Sequence, residues 1–192
     1  MKIKSFLLAG VFIVLSLFFA APMNAKAANF TIDKYEVNMK VTKDNTYQIK
    51  EHIEVNFKSK SNGIYRDIPL VNDVKREDGS SNRIVARVEN LDCGDEEYES
   101  SREGNNLHVR LGDEDVEITG KYEYNISYNY VMGNDVLPNE DEFYFNVIGT
   151  GWETTISNVS FSIEMPETFD ENNLGMSYGA YGESKLDGLY YS

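Results

Sequence analysis

The chain has 192 residues, a net charge of −14 from 18 basic and 32 acidic side chains, one cysteine, two histidines and one tryptophan. A single cysteine excludes an internal disulfide and a cysteine-built metal site, and two histidines leave little for zinc or triad chemistry. The acidic balance argues against a nucleic-acid binder, which needs a basic patch. Its 41% hydrophobic and 26% charged residues are those of a globular chain.

Residues 1–27 have the layout of a secretory signal peptide. Lys2 and Lys4 precede an apolar run over residues 6–21 that only Ser16 interrupts, and Ala25-Lys26-Ala27 supplies a small-x-small cleavage pattern. The run is short for a spanning helix, which needs about 20 residues. Cleavage is expected between Ala27 and Ala28, and the chain is expected to be exported. The leader carries three lysines and no acid, so taking them from the −14 total leaves −17 on residues 28–192. Those residues are expected to fold as a single domain burying about 70% of the surface exposed when unfolded.

Beyond the leader the apolar residues recur with period two. Tyr35, Val37, Met39 and Val41 alternate with polar residues, Lys43-Asp44-Asn45 reads as a turn, and Tyr47, Ile49, Ile53, Val55 and Phe57 form a second run. Two such runs across a short polar break predict a hairpin. Ile84, Ala86 and Val88 alternate, then Leu107, Val109 and Leu111, then Tyr122, Tyr124, Ile126, Tyr128 and Tyr130. The stretch Phe143-Tyr144-Phe145-Asn146-Val147 and the run Val159, Phe161, Ile163, Met165 complete the series, which stops at Pro166. Helical spacing is nearly absent. Seven to nine short strands with one apolar face each predict an all-β fold, an antiparallel β-sandwich of immunoglobulin-like size. The tail from Glu167 is rich in Gly, Ser, Tyr and Asp, and a ragged hairpin is expected around Met176 and Tyr181.

The most distinctive stretch is Ser61-Asn62-Gly63-Ile64-Tyr65-Arg66-Asp67-Ile68-Pro69, which follows a long strand containing Glu51. Downstream stand Gly149-Thr150-Gly151-Trp152 and a strand ending at Met165-Pro166. In this order the series resembles the N-terminal domain of a bacterial family of predicted membrane proteins with domain of unknown function 2207. The resemblance implies an extracytoplasmic β-rich domain, followed in a longer chain by transmembrane helices that would supply the membrane attachment. It carries over no activity. Gly63, Tyr65, Arg66, Pro69 and Trp152 are its motif residues, with Glu51 beside them.

Gly175-Met176-Ser177-Tyr178-Gly179 fits the G-x-S-x-G pattern, but no histidine follows Ser177 and no helix is predicted, so a turn is the better reading. Cys93 is flanked by Asp92, Asp95, Glu96 and Glu97, which favour the neutral thiol over a reactive thiolate. No spacing singles out a carboxylate pair for glycoside cleavage. Acidic clusters at residues 92–97, 113–115 and 139–142 could hold calcium, although none matches an EF-hand and solvated loops are the alternative. The tyrosine stripe of residues 122–130 reads as a core face, with a sugar platform as the rival. Trp152 is read either as an exposed contact or as a plug beneath its loop. No cofactor and no catalytic residue are expected. A sensing or interaction module with an envelope or extracellular partner is the leading function, a carbohydrate-binding or adhesive module the second, an unrecognised hydrolase the third.

Glu51 falls on the apolar face of its strand, between Ile49 and Ile53, where an unpaired carboxylate is costly. Arg66 is the nearest candidate partner, and is expected to fold back from a loop to pair with it. The rival is an Arg66 that reaches outward to an anionic ligand.

Overall fold

The computed structural model describes residues 28–75, 79, 81–133, 143–149, 151–169, 174–176, 178 and 179. The expected signal peptide, the acidic cluster at residues 139–142 and half of the expected tail hairpin lie outside them. Among the described residues there are ten strands and no helix: β1 (Phe30–Val41), β2 (Thr46–Ser61), β3 (Ile64–Pro69), β4 (Val71–Lys75), β5 (Ser81–Val85), β6 (Arg87–Asp92), β7 (Tyr98–Glu103), β8 (Asn106–Leu111), β9 (Ile118–Val131) and β10 (Val159–Glu164). They form a five-stranded sheet in the order β10-β1-β2-β9-β6, a three-stranded sheet β3-β8-β7 and a β4-β5 ribbon.

The large sheet is built on the predicted hairpin. β1 and β2 pair from Phe30↔Phe57 to Val41↔Tyr47, around a turn in which Asn45 takes a left-handed φ of 56°, a conformation Asn tolerates. A register shift between Ile32 and Lys34 lets Ile32 and Tyr35, three residues apart, face the same side. β2 then pairs with β9 over almost its full length, setting Ile49 against Tyr128 and Ile53 against Tyr124. Alternation does the rest. Tyr35, Val37 and Met39, then Tyr47, Ile49, Ile53 and Val55, then Tyr124, Ile126, Tyr128 and Tyr130 are all buried. The small sheet contributes Ile64, Ile68, Val109 and Leu111 to the same core. Each such side chain removed from water stabilises the fold by about 1.5–3 kcal/mol. The tyrosine stripe is therefore core, as alternation predicts, and not a sugar platform.

Several expectations need correction. Ile84, Ala86 and Val88 do not share a strand: the buried Ala86 lies between β5 and β6, its N–H donating to Leu70 O at 2.8 Å, and the two strands join different sheets. Residues 143–147 are not a strand. Phe143 and Phe145 instead lay their rings against Tyr47, at 5.3 and 5.7 Å between centroids. β10 runs parallel to β1. Its register sets Val159 and Phe161 beside Tyr35 and Val37, yet they stay 48% and 40% exposed because β10 is the sheet's open edge. The segment holding Arg66 is a strand, not a loop.

Tyr124 is buried and its hydroxyl has no hydrogen-bond partner among the described residues. An unpaired buried polar group costs about 1–3 kcal/mol. Tyr124→Phe is therefore expected to raise the unfolding free energy by about 1 kcal/mol in denaturant titration; a loss would show that the hydroxyl is paired.

Candidate functional site

Glu51 sits at the middle of β2 and Arg66 at the middle of β3, so the pair joins the two sheets through the core. Both side chains are essentially excluded from solvent. The guanidinium meets the carboxylate as a fork: Nε donates to Oε2 and Nη2 to Oε1, each at 2.8 Å. Tyr128 Oη donates to Oε1 at 2.6 Å, and Tyr35 Oη donates to Oε2. The register explains both tyrosines. Tyr35 opposes Ile53 on one flank of β2 and Tyr128 opposes Ile49 on the other, so each reaches Glu51 diagonally. The third guanidinium nitrogen, Nη1, donates to Asp67 O. Arg66 thus folds inward, and the outward reading is overturned.

Burial alone would raise the Glu51 carboxyl, but the Arg66 charge, with hydrogen bonds from Arg66, Tyr128 and Tyr35, holds it below its ordinary 4.5. Burial opposes the charge on Arg66 as well, and the Glu51 carboxylate outweighs that, so the guanidinium holds its proton more tightly than usual. Burial first, and then the Glu51 charge, lifts the Tyr128 phenol well above 10.0; burial likewise lifts Tyr35, with Glu51 raising and Arg66 lowering it. A carboxyl depressed in the folded state contributes stability that is complete above its unfolded value and lost as the pH falls below it. A phenol raised in the folded state contributes stability that is complete below its unfolded value and lost as the pH rises above it. Unfolding free energy is expected to fall below about pH 4.3 and above about pH 10. Tyr35→Phe with Tyr128→Phe should make the alkaline limb shallower in a series of denaturant titrations. An unchanged limb would remove the tyrosines from the account.

The second motif closes over the first. A Cβ on Gly149 would sit 2.9 Å from Arg66 Nη1, and one on Gly151 2.8 Å from Asp67 Oδ2, so these two residues approach the strand as only glycine can. Trp152 is half-buried, packs edge-on against Tyr35 at 5.7 Å between centroids, and donates from Nε1 to Ile148 O at 3.2 Å. It is a plug beneath its segment rather than a free contact. Pro69 ends β3, which lies at a sheet edge where a missing N–H is tolerated, and its carbonyl accepts from Tyr130 Oη at 2.6 Å. Gly63 packs its backbone against that of Leu111 and Gly112. Glu51, Arg66, Gly63, Pro69 and Trp152 are thus joined in one scaffold, and Tyr65 is not.

Tyr65 points the other way. On β3 the alternation that buries Ile64, Arg66 and Ile68 turns Tyr65 and Asp67 to the outer face. There Tyr65 is 58% exposed and stacks on His108, with centroids 4.7 Å apart and planes 20° from parallel. His108 Nδ1 lies 2.6 Å from Asp67 Oδ1. Arg110, its neighbour on β8, lies 3.4 Å from a Glu99 oxygen and 4.0 Å from one of Glu114. Tyr65, His108, Arg110, Glu99 and Glu114 line an open concavity of about 770 Å³ on the outer face of the small sheet. The motif contains Tyr65 and Asp67, but nothing local in it points to His108 and Arg110 as their neighbours, because the β3-β8 pairing joins segments some 40 residues apart, the Asp67–His108 separation being 41.

Cys93 is buried. Burial, then the charges of Asp92 and Glu96, push its thiol up to about 11. Iodoacetamide at pH 8 is expected to leave it unmodified in the native chain and to label it in denaturant, as read by mass spectrometry; native labelling at the denatured rate would contradict its burial. Two carboxylates of the acidic clusters serve turns: Asp92 accepts from the N–H of Gly94 and Asp113 from that of Asp115. Among the described residues no group of three or more His, Cys, Asp or Glu side chains could hold a metal ion, and no helix is long and apolar enough to cross a membrane.

Two sheets facing each other across a buried ion pair define an all-strand sandwich-like domain. The chain belongs to the family of predicted membrane proteins with domain of unknown function 2207, whose N-terminal domain model matches residues 31–187. No match was found among curated proteins. Among solved structures the chain is similar to parts of M1 zinc metallopeptidases and of a leukotriene A4 hydrolase. A two-domain M1 zinc metallopeptidase bound to L-arginine is 11% identical, with 71% of this chain and 32% of that one covered, at a TM-score of 0.38. An M1 zinc metallopeptidase from Deinococcus radiodurans bound to a Tyr-Ser-Ala substrate is 10% identical over 57% and 22%, at 0.35. Native leukotriene A4 hydrolase from Saccharomyces cerevisiae is 11% identical over 53% and 15%, at 0.33. The chain spans less than a third of each of these proteins.

Proposed function

We propose that residues 28–192 form a non-catalytic recognition module carried on the outer side of the cell membrane, with the outward face of the β3-β8-β7 sheet as its contact surface. The observation that carries this reading is the division of the family's distinctive strand. Its inward half, centred on Arg66, is consumed in joining the sheets, whereas Tyr65 projects 58% exposed into the open concavity. An exposed large aromatic on a rigid strand is favoured where a partner covers it. The lysine-led apolar leader of residues 1–27 supports export, and membership of a predicted membrane protein family supports attachment.

The test is photo-crosslinking in the native host. A photoreactive phenylalanine analogue replaces Tyr65 in the full-length protein, with the same analogue at the exposed Gln48 of β2 as control. The reading predicts discrete adducts from position 65 on intact cells and none from position 48. Equal or absent adducts at both positions would reject this face as the contact surface.

A further inference from the structure

We infer that the concavity on the outer face of the small sheet is a binding site for a neutral oligosaccharide. This rests on the recognition reading above and names its ligand class. The floor is β8, the central strand, whose outward side chains are His108 and Arg110. β3 raises Tyr65 on one side, and β7 raises Glu99 and Glu103 on the other.

Three features fit a sugar. First, the Tyr65 ring is held by stacking on His108 while 58% of the residue stays exposed, so a ring face is pre-oriented for the C–H surface of a pyranose. Second, donors and acceptors stand side by side and are restrained. His108 is fixed by Asp67 at 2.6 Å, and Arg110, whose side chain is only 16% exposed, lies between Glu99 and Glu114. A sugar hydroxyl both donates and accepts, so it can bridge a carboxylate and a guanidinium without leaving either unpaired. Third, Tyr65, Asp67, Glu99, His108 and Arg110 stand on strands, which hold polar groups more precisely than loops do, and only Glu114 comes from the turn after β8. The volume, about 770 Å³, lies within the range of small-molecule sites.

Charge selects among sugars. Three lining carboxylates, Glu99, Glu103 and Glu114, face a single guanidinium, Arg110, on a chain of net charge −14. Uronic acids, phosphate-linked wall polymers and nucleic acid would meet a repulsive field. A neutral oligosaccharide would not.

The purified full chain is titrated by calorimetry with neutral hexasaccharides of glucose, mannose, xylose and N-acetylglucosamine in their common linkages, and with a galacturonic acid hexamer. At least one neutral sugar is expected to bind, and the anionic one is not. Tyr65→Ala should weaken binding by about tenfold or more, and Tyr65→Phe by less than about threefold. Because Tyr65 is exposed, both variants should keep the wild-type unfolding midpoint, which separates loss of a contact from loss of the fold. No neutral sugar bound at about 5 mM, or binding indifferent to Tyr65→Ala, or equal binding of the anionic hexamer, would overturn the glycan assignment. Protein adducts at position 65 without sugar binding would overturn the ligand class and leave the recognition surface standing. Absence of adducts would reject the recognition surface itself.

Discussion

Replacing Arg66 by methionine is expected to destabilise the chain by about 3–5 kcal/mol, seen as a fall in the denaturant midpoint. Methionine keeps part of the apolar stem but removes both charged contacts to Glu51 and the bond to Asp67 O. The Tyr35 and Tyr128 hydroxyls remain, and two neutral donors do not offset a carboxylate held in the core. The carboxyl then escapes its charge by taking a proton, so its folded value rises above the unfolded one. That reverses the sign of its linkage. The variant's stability from this group is complete below about pH 4.3 and lost as the pH rises towards neutrality, the reverse of the wild-type trend in that window. Adding Glu51→Gln to Arg66→Met should restore about 1–3 kcal/mol at pH 7, because an amide oxygen still accepts from the tyrosines without a charge to bury. If the double variant were no more stable than Arg66→Met, the penalty would come from lost packing and not from the orphaned charge.

Gly63→Ala is expected to cost about 3 kcal/mol or more, through backbone crowding rather than electrostatics. Gly63 has φ +127°, and a Cβ there would fall 1.8 Å from Leu111 O. Gly112, at φ +115°, faces it, and its Cβ would fall 2.3 Å from Asn62 O. Both obstacles are backbone atoms, so no side chain can swing aside, and relief requires separating the start of β3 from the end of β8. Gly104→Ala is the control. Gly104 is also left-handed, at φ +57°, but a Cβ there meets nothing within 4 Å, so only the conformational cost of about 1–2 kcal/mol applies. In thermal unfolding a chain of this size shifts by about 2–4 °C per kcal/mol, so the two variants should separate clearly. Similar midpoints for both would mean that the strand ends part without cost.

What could be read from the sequence follows from burial. β1, β2 and β9 each bury one face against the core, so their apolar residues alternate in plain view, and Glu51 stands out as the one acid within that alternation. Tyr35 was within reach as its partner, because the β1-β2 turn fixes the register between them. Tyr128 was not, since it meets Glu51 across 77 residues of chain and nothing local sets the β2-β9 register. β7 left no signal, because every residue of Tyr98–Glu103 is exposed and neither face has an apolar code. Residues 143–147 misled for the opposite reason: Phe143 and Phe145 are spaced as in a strand because both pack on Tyr47, but the backbone makes no ladder. The outer face of the small sheet was hardest to see. Its residues carry ordinary polar side chains, and only the pairing of β8 with β3 and with β7 brings Tyr65, His108, Arg110 and Glu99 together.

Two neighbouring residues have opposite duties, Arg66 inside and Tyr65 outside. Equilibrium denaturant unfolding of Tyr65→Ala and Arg66→Met, measured side by side in the same buffer, tests that division most directly. The expected change is within about 0.5 kcal/mol for Tyr65→Ala, as for other exposed positions, against a loss of about 3–5 kcal/mol for Arg66→Met. Comparable losses in both, or a neutral Arg66→Met, would contradict that division.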